Sequence, residues 1–110
     1  MKSSAHIRQK VQERLTSYLK KDAHGLRHAI IRVFLSGKKL SIQHIYEVLK
    51  ERFSVTYHMV AGMIGIISSR IGILHVWRDI EAGCCFYQIK EWYIPLVADL
   101  VDHNAHEHMV

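Results

Sequence analysis

The sequence predicts a mainly α-helical fold with one small β-hairpin, and three observations lead to this prediction. Apolar residues recur at spacings of three and four through most of the 110 residues, as on the buried side of amphipathic helices. Two short segments on either side of residue 80 are instead rich in β-branched and aromatic residues, and they flank a loop that contains a glycine. Serine, threonine and glycine stand where these helices are expected to begin or end.

Two helices are predicted in the first third of the chain. The first is basic and covers residues 5–21. Asp22 is expected to cap a second helix that runs to about Ser36 and ends at Gly37, because carboxylates favour helix starts and glycine favours helix ends. The buried stripe of the first helix is expected to consist of Ile7, Val11, Leu15, Tyr18 and Leu19.

A helix-turn-helix unit is predicted next. Ser41 is a suitable N-cap for a helix over residues 42–53, and Thr56 is a suitable N-cap for a helix over residues 57–71. Gly72 is expected to end the second of these helices. Two helices joined by so short a turn are typical of a helix-turn-helix.

A β-hairpin and a last helix complete the predicted fold. Residues 73–79 and 84–90 have strand composition and are separated by a short loop, which predicts a hairpin. Residues 91–102 again show helical spacing, and Pro95 falls near the first turn, where proline is tolerated.

The order helix, helix, turn, helix, hairpin is that of a winged helix-turn-helix, here with an extra helix at each end. A chain of 110 residues suits one domain with one core. We therefore predict a single domain over residues 1–110, with an extra N-terminal helix (5–21), a winged-helix core (22–90), a C-terminal helix (91–102) and a flexible tail (103–110).

These motifs resemble those of a small archaeal family of uncharacterised winged-helix domains. The resemblance lies in the pattern GLR-A--R-FL, which begins at Gly25, and in the pattern IY--L--RF-V-Y--VA-M-GII-SR-GIL, which begins at Ile45. It covers residues 15–95 and implies the fold and an archaeal source. It implies a DNA-linked function only by analogy with other winged helices.

The net charge of +5 is distributed unevenly along the chain. Residues 1–78 contain 14 basic and four acidic residues, which gives +10, whereas residues 79–110 contain one basic and six acidic residues, which gives −5. A basic surface suggests an acidic partner, of which nucleic acid is the commonest. The alternative is that the acidic C-terminal part packs or dimerises against the basic helices.

The composition also favours a cytoplasmic protein without a membrane segment. No apolar run approaches the roughly 18 residues that a membrane-spanning helix needs. The N-terminal residues have no apolar core of the kind found in a signal peptide. Cys84 and Cys85 are adjacent and cannot form a disulfide framework, which fits a reducing compartment.

The helix over residues 57–71 stands where a winged helix places its recognition helix. Beyond Tyr57 and His58, its outer face is expected to show small residues, and it offers none of the Arg, Asn, Gln or Lys that read base edges until Arg70. Such a face could approach the DNA backbone closely, or it could seat a helix of a partner. The residues predicted for this interaction face are Ala61, Gly62, Gly65 and Ser69.

Contacts with duplex DNA are predicted at basic and polar residues near the helix ends and the hairpin. Thr56 marks a helix N-terminus, whose free N–H groups attract phosphate. Asp79 and Glu81 at the hairpin tip repel phosphate, which argues against a tip that grips the minor groove. The predicted DNA-binding residues are Lys38, Lys39, Thr56, Tyr57, His58, Arg70 and Arg78.

No pattern in the sequence predicts an enzyme, a metal site or a cofactor site. There is no nucleophile motif, no paired carboxylates in an apolar setting and no phosphate-binding loop. Three of the nine histidines, His103, His106 and His108, could ligate zinc or nickel, but no compact ligand spacing supports them elsewhere.

The function predicted from these features is DNA binding by a winged helix, dominated by backbone contacts. The protein is expected to be a homodimeric transcriptional regulator that recognises sequence only modestly. The alternative is a winged helix that serves as a protein-interaction or dimerisation module and does not bind DNA.

Overall fold

The computed structural model describes the backbone of residues 4–108 and the side chains of residues 5–103. As predicted, the fold is mainly helical with a small antiparallel sheet. The described residues form five α-helices, three strands, one π-helical turn (Ile67–Ile71) and one 3-10 turn (Glu91–Tyr93). In chain order the helices and strands are α1 (Ser4–Lys20), α2 (Leu26–Phe34), β1 (Leu40–Ser41), α3 (Ile42–Lys50), α4 (Tyr57–Ile66), β2 (Leu74–Asp79), β3 (Cys84–Ile89) and α5 (Ile94–His108).

The starts of α3 and α4 are fixed by the two predicted N-caps. The Ser41 hydroxyl accepts a hydrogen bond from the backbone N–H of His44 at 3.1 Å. The Thr56 hydroxyl accepts one from the backbone N–H of Met59, also at 3.1 Å. Each cap satisfies an N–H group that would otherwise lack a partner in the first helical turn, and it stabilises its helix by about 1 kcal/mol.

Asp22 was predicted to be the N-cap of α2, but the helix begins later, at Leu26, and Gly25 occupies the N-cap position. The Asp22 carboxylate accepts hydrogen bonds from the backbone N–H of Gly25 at 3.1 Å and of His28 at 3.0 Å. It also contacts the His28 ring at 2.7 Å, and both side chains are buried. Burial raises the pKa of Asp22, but the hydrogen bonds from His28 outweigh this effect and hold the pKa below its ordinary value.

The helix that begins with α4 continues to Ile71, as predicted, but its last five residues form a π-helical turn. The backbone N–H of Gly72 bonds to the carbonyl of Ile67, five residues earlier, at 3.0 Å. Gly72 then adopts a left-handed conformation with φ of 81°, which glycine adopts without strain, and it ends the helix.

The sheet places β3 between β1 and β2, with both pairs antiparallel. The hairpin of β2 and β3 closely follows the prediction. Strand β1 was not predicted, because its two residues form a strand only by pairing with Tyr87 and Phe86 much later in the chain. A side-chain contact also holds the residues before β1 to β3: the Gln88 amide donates a hydrogen bond to the Gly37 carbonyl at 2.6 Å.

One core joins all five helices to the sheet. The stripe predicted for α1 is buried from Val11 to Leu19, but Ile7 was expected there and is 47% exposed. Ile7 lies one turn from the start of α1, where it lines a shallow pocket with Trp92 instead of entering the core. Helix α5 buries Leu96, Val97, Leu100 and Val101.

Helix α5 is longer than predicted. It reaches His108, so six residues of the predicted tail over 103–110 continue the helix, and residues 109–110 lie outside the described part of the chain. Extending a formed helix adds one hydrogen bond for each residue that it fixes, so the extension costs little free energy.

An aromatic row lies on the face of the sheet that points away from the core. His75 packs between Trp77 and Trp92, with ring centroids 5.3 Å and 5.5 Å away. The Lys39 ammonium lies 4.4 Å from the centroid of the Trp77 ring, in a cation–π contact. Leu74 and Ile89 face the core from the opposite side of the sheet, because side chains alternate along a strand. No helix within residues 4–108 is both long enough and apolar enough to cross a membrane.

Candidate functional site

Helix α4 has one open face. Val60 and Ile64 are fully buried against the core, and Ile67 continues this buried stripe into the π turn. On the opposite side, Gly62 and Gly65 have nothing within 4 Å of the position that a Cβ atom would occupy. Around Gly62 and Gly65, the open side of α4 therefore meets no other described part of the chain.

The open face is more apolar than the sequence prediction suggested. Of the residues predicted for the interaction face, Gly62, Gly65 and Ser69 are exposed, and Ala61 is half-buried. The prediction omitted Met59, which is 46% exposed, and Ile66, which is 38% exposed. The spacing of Met59, Gly62 and Ile66, three and then four residues, was a signal that could have placed them on one face.

The N-terminal end of α4 brings Thr56, Tyr57 and His58 together, as predicted. All three are exposed. The Tyr57 ring lies 6.1 Å from that of Tyr46 and 6.2 Å from that of His58, both in edge-on geometry. This end therefore combines free N–H groups, a hydroxyl cap and aromatic rings, a set of donors suited to phosphate.

In β3, Tyr87 is half-buried and packs against the core. Burial raises the pKa of Tyr87, and Cys85 and Tyr57 add to the rise. Tyr87 pairs with Val76 across the hairpin. Arg78 lies two residues further along β2, so its side chain leaves the sheet on the same face as Val76 and the buried Leu74.

Lys39 does not join this group. Its ammonium packs on Trp77, which alternates with Val76 and so points to the other face of the sheet. Lys38 is exposed just before β1. The residues predicted to contact DNA around the hairpin are thus divided between its two faces, with Arg78 on the face of Leu74.

The hairpin tip has one free acid rather than two. The Asp79 carboxylate accepts a hydrogen bond from the backbone N–H of Ala82 at 3.0 Å, so it closes the turn. Glu81 is exposed, and Ile80 between them is 87% exposed. The tip therefore offers a bare apolar side chain beside one carboxylate, an unsuitable combination for gripping phosphates.

Arg70 is also set apart from the other predicted contacts. It lies in the π turn, about 20 Å along the helix axis from Thr56 at 1.5 Å per residue. It lines an open cleft against α1, together with Arg14, Lys21 and Arg27. This cleft was not predicted, because its residues come from three separate parts of the sequence.

Almost none of the described basic side chains pairs with a described carboxylate. Of the Lys and Arg side chains in residues 5–103, only Lys10 lies within 4.0 Å of a carboxylate, that of Glu13. Helix α5 packs on α1, yet none of the acidic residues described in the last third of the chain pairs with these cations. The packing of α5 on α1 agrees with the alternative in which the acidic C-terminal part packs on the basic helices, although it forms no ion pair among the described side chains.

Histidine, cysteine and carboxylate side chains do not gather elsewhere. Within the described side chains, no three of them lie close enough together to hold a metal ion. Of the C-terminal histidines, His106 and His108 lie outside these side chains. Cys84 and Cys85 are half-buried free thiols in β3.

Comparisons with known proteins identify the family. Residues 15–97 match a family described as protein of unknown function, DUF2551. The chain belongs to this family. An uncharacterized protein of Archaeoglobus fulgidus is 36% identical to it over 93 residues, which cover 84% of this chain and 93% of that protein. No solved structure matches the chain significantly. Membership of DUF2551 confirms the predicted resemblance to an uncharacterised archaeal family.

Proposed function

We propose that this protein binds duplex DNA as a winged helix and acts as a transcriptional regulator. Helix α4 is the recognition helix in this proposal, and the hairpin of β2 and β3 is the wing. The order α2, α3, α4, hairpin supports this assignment, as does the exposure of α4 along one whole side.

The observation that carries the proposal is the unpaired basic charge. Residues 1–78 have a net charge of +10, and of their described Lys and Arg side chains only Lys10 pairs with a carboxylate. Solvated cations that lack partners in the chain are available to replace the counterions of a polyanion. Thr56, Tyr57 and Arg78 would then contact phosphates at one end of α4.

Such binding would be dominated by the DNA backbone. The open face of α4 offers Met59, Gly62, Gly65 and Ile66, and none of these side chains donates hydrogen bonds to base edges. Apolar side chains can contact thymine methyl groups, so modest sequence preference is expected rather than a strict site.

Fluorescence anisotropy with a random-sequence duplex tests this proposal across a salt series. A slope of log affinity against log salt of about 4 or more is expected, since each phosphate contact contributes about 0.9. Replacing Arg78 by Gln should lower the slope by about 0.9. The matched control is Lys20→Gln on α1, which removes the same charge from an exposed position outside the group of Thr56, Tyr57 and Arg78 and should bind as the wild type does. No binding at low salt would refute the proposal.

A second candidate function is protein interaction through the same face, as a module that pairs with a second copy of this chain. The exposed Met59 and Ile66 and the open Gly62 and Gly65 favour this candidate. Small residues let a partner helix approach closely, and the two apolar side chains would flank the contact.

Sedimentation equilibrium distinguishes the two candidate functions. We expect Gly65→Leu to fold, because a Cβ atom added at residue 65 meets nothing within 4 Å. If the face joins two copies, the wild type is dimeric at micromolar concentration and Gly65→Leu is monomeric. An unchanged mass in the variant would remove this candidate and leave the DNA proposal in place.

A further inference from the structure

We propose that the cleft between α1 and the π turn is a binding site for a phosphate-bearing anion. The cleft has a volume of about 750 Å³, within the range of small-molecule sites. Its walls are the outer side of α1, the start of α2 and the π turn. It lies at the opposite end of α4 from Thr56, and it shares Ile66 with the open face of α4.

The cleft concentrates positive charge that the chain does not neutralise. Arg14, Lys21, Arg27 and Arg70 line it, and Glu13 is the one acid among its lining residues. The Glu13 carboxylate is engaged along α1, at 3.5 Å from the Gln9 amide nitrogen and 4.0 Å from the Lys10 ammonium. None of the four cations pairs with a carboxylate within residues 5–103. A concave surface with one sign of charge attracts ions of the opposite sign.

One of these cations is held in place before any ligand binds. The Arg27 guanidinium donates a hydrogen bond to the Tyr18 carbonyl at 2.9 Å, and it lies 4.4 Å from the centroid of the Tyr18 ring. Tyr18 itself lines the cleft and is 8% exposed. Its buried hydroxyl has no hydrogen-bond partner among the described residues, which is uncommon for a buried polar group. A preorganised cation loses little side-chain entropy when it binds an anion.

The π turn is a second observation that points to a site here. Ser69, Arg70 and Ile71 of this turn all line the cleft. Short π-helical turns within α-helices are rare and are frequent at functional sites. Compared with an α-helical continuation, the extra residue in the turn rotates the residues that follow by about 100°. The turn therefore decides which side of the helix end faces α1.

The donor set favours phosphate over a carboxylate. Guanidinium groups match phosphate oxygens with paired hydrogen bonds, and three arginines are present. A single carboxylate would leave most of the positive charge uncompensated, whereas a di- or triphosphate carries several negative charges. Ile66 and Ile71 add an apolar wall that would suit the rest of a phosphate-bearing molecule. The phosphate could come from a free small molecule or from a nucleic-acid backbone, and the experiment distinguishes the two.

Isothermal titration with inorganic pyrophosphate at constant ionic strength tests the site. We expect saturable binding of one pyrophosphate per chain. The double variant Arg14→Gln/Arg70→Gln should weaken this binding at least tenfold, since each charge-assisted hydrogen bond contributes about a factor of ten. Both side chains are exposed, so an unchanged melting temperature is expected of the variant.

The matched control is Arg32→Gln/Lys50→Gln, which removes the same charge from exposed positions outside the cleft. This control should bind pyrophosphate as the wild type does. Absence of saturable binding, or an equal loss of affinity in both double variants, would overturn the proposal.

The source of the phosphate follows from a second titration in the presence of duplex DNA. If duplex displaces pyrophosphate and the cleft variant also loses affinity for duplex, the phosphate belongs to nucleic acid. If duplex binds beside pyrophosphate and the cleft variant binds duplex normally, the ligand is a small phosphorylated molecule. Both results uphold the site, and the second would stand even if Arg78→Gln showed no effect on DNA binding.

Discussion

The two glycines on the open face of α4 allow a quantitative test of that face. Gly62 and Gly65 have ordinary helical backbone, and a Cβ atom at either position would meet no atom within 4 Å. Replacing each by alanine should raise the free energy of unfolding by about 1 kcal/mol, because glycine is that much less favourable than alanine inside a helix.

The expected effect on the melting temperature follows from chain length. The entropy of unfolding is about 2.1 cal/mol/K per residue, so 110 residues give about 0.23 kcal/mol/K and each 1 kcal/mol shifts the midpoint by about 4 °C. The double variant Gly62→Ala/Gly65→Ala should therefore melt about 8 °C above the wild type in differential scanning calorimetry. Gly72→Ala is the control, since φ of 81° opposes a side chain and should lower stability by about 1 kcal/mol.

A double variant that melts at or below the wild-type temperature would refute the argument. It would mean that the face is covered by a close contact in the protein in solution, so that the added methyl groups cost more than the helix gains. Repeating the scan at a tenfold lower protein concentration would identify that contact, because a dimer loses stability on dilution.

Three further outcomes follow from single side chains, each measured by urea unfolding. Asp22→Ala should cost about 3 kcal/mol, because it removes the acceptor of the Gly25 and His28 backbone N–H groups and a partner of the buried His28 ring. The fold lowers the pKa of Asp22, so the contribution of this carboxylate to the free energy of unfolding is fully present above about pH 4. That contribution is lost as the pH falls through the lower folded-state pKa. The variant should therefore lose less stability in acid than the wild type does. Tyr18→Phe should be neutral or stabilise by up to about 1 kcal/mol, since the buried hydroxyl it removes has no described partner, and burial raises the pKa of that group to about 12. A loss above 1 kcal/mol would show that the hydroxyl is bonded. Thr56→Ala should cost about 1 kcal/mol through the lost cap on Met59, whereas Thr56→Ser should keep most of it.

Local chemistry made most of the fold predictable. Ser41 and Thr56 cap helices by bonding to backbone N–H groups only three residues further along the chain, and Gly72 ends a helix through its own conformation. The sequence alone is therefore enough to predict these helix ends. Strand β1 was missed because its partners lie more than forty residues away, at Tyr87 and Phe86. Strand formation depends on such distant pairing more than on intrinsic preference.

The candidate sites were predicted less completely for a related reason. The start of α4 could be identified because Thr56, Tyr57 and His58 are contiguous. The π turn could not, since the hydrophobic spacing of three and four does not reveal one inserted residue. The basic cleft depends on that turn and on where α1 packs against it, so no single stretch of sequence contains it.

The aromatic row on the outer face of the sheet gives the protein an intrinsic fluorescence signal. Trp77 and Trp92 are the two tryptophans of the chain, and both contact His75 on the side of the sheet away from the open face of α4. Their emission therefore monitors how the hairpin and the start of α5 hold together. It gives an optical signal for unfolding that a ligand docking on the open face would not quench directly, whereas tyrosine emission would include Tyr57 at that face.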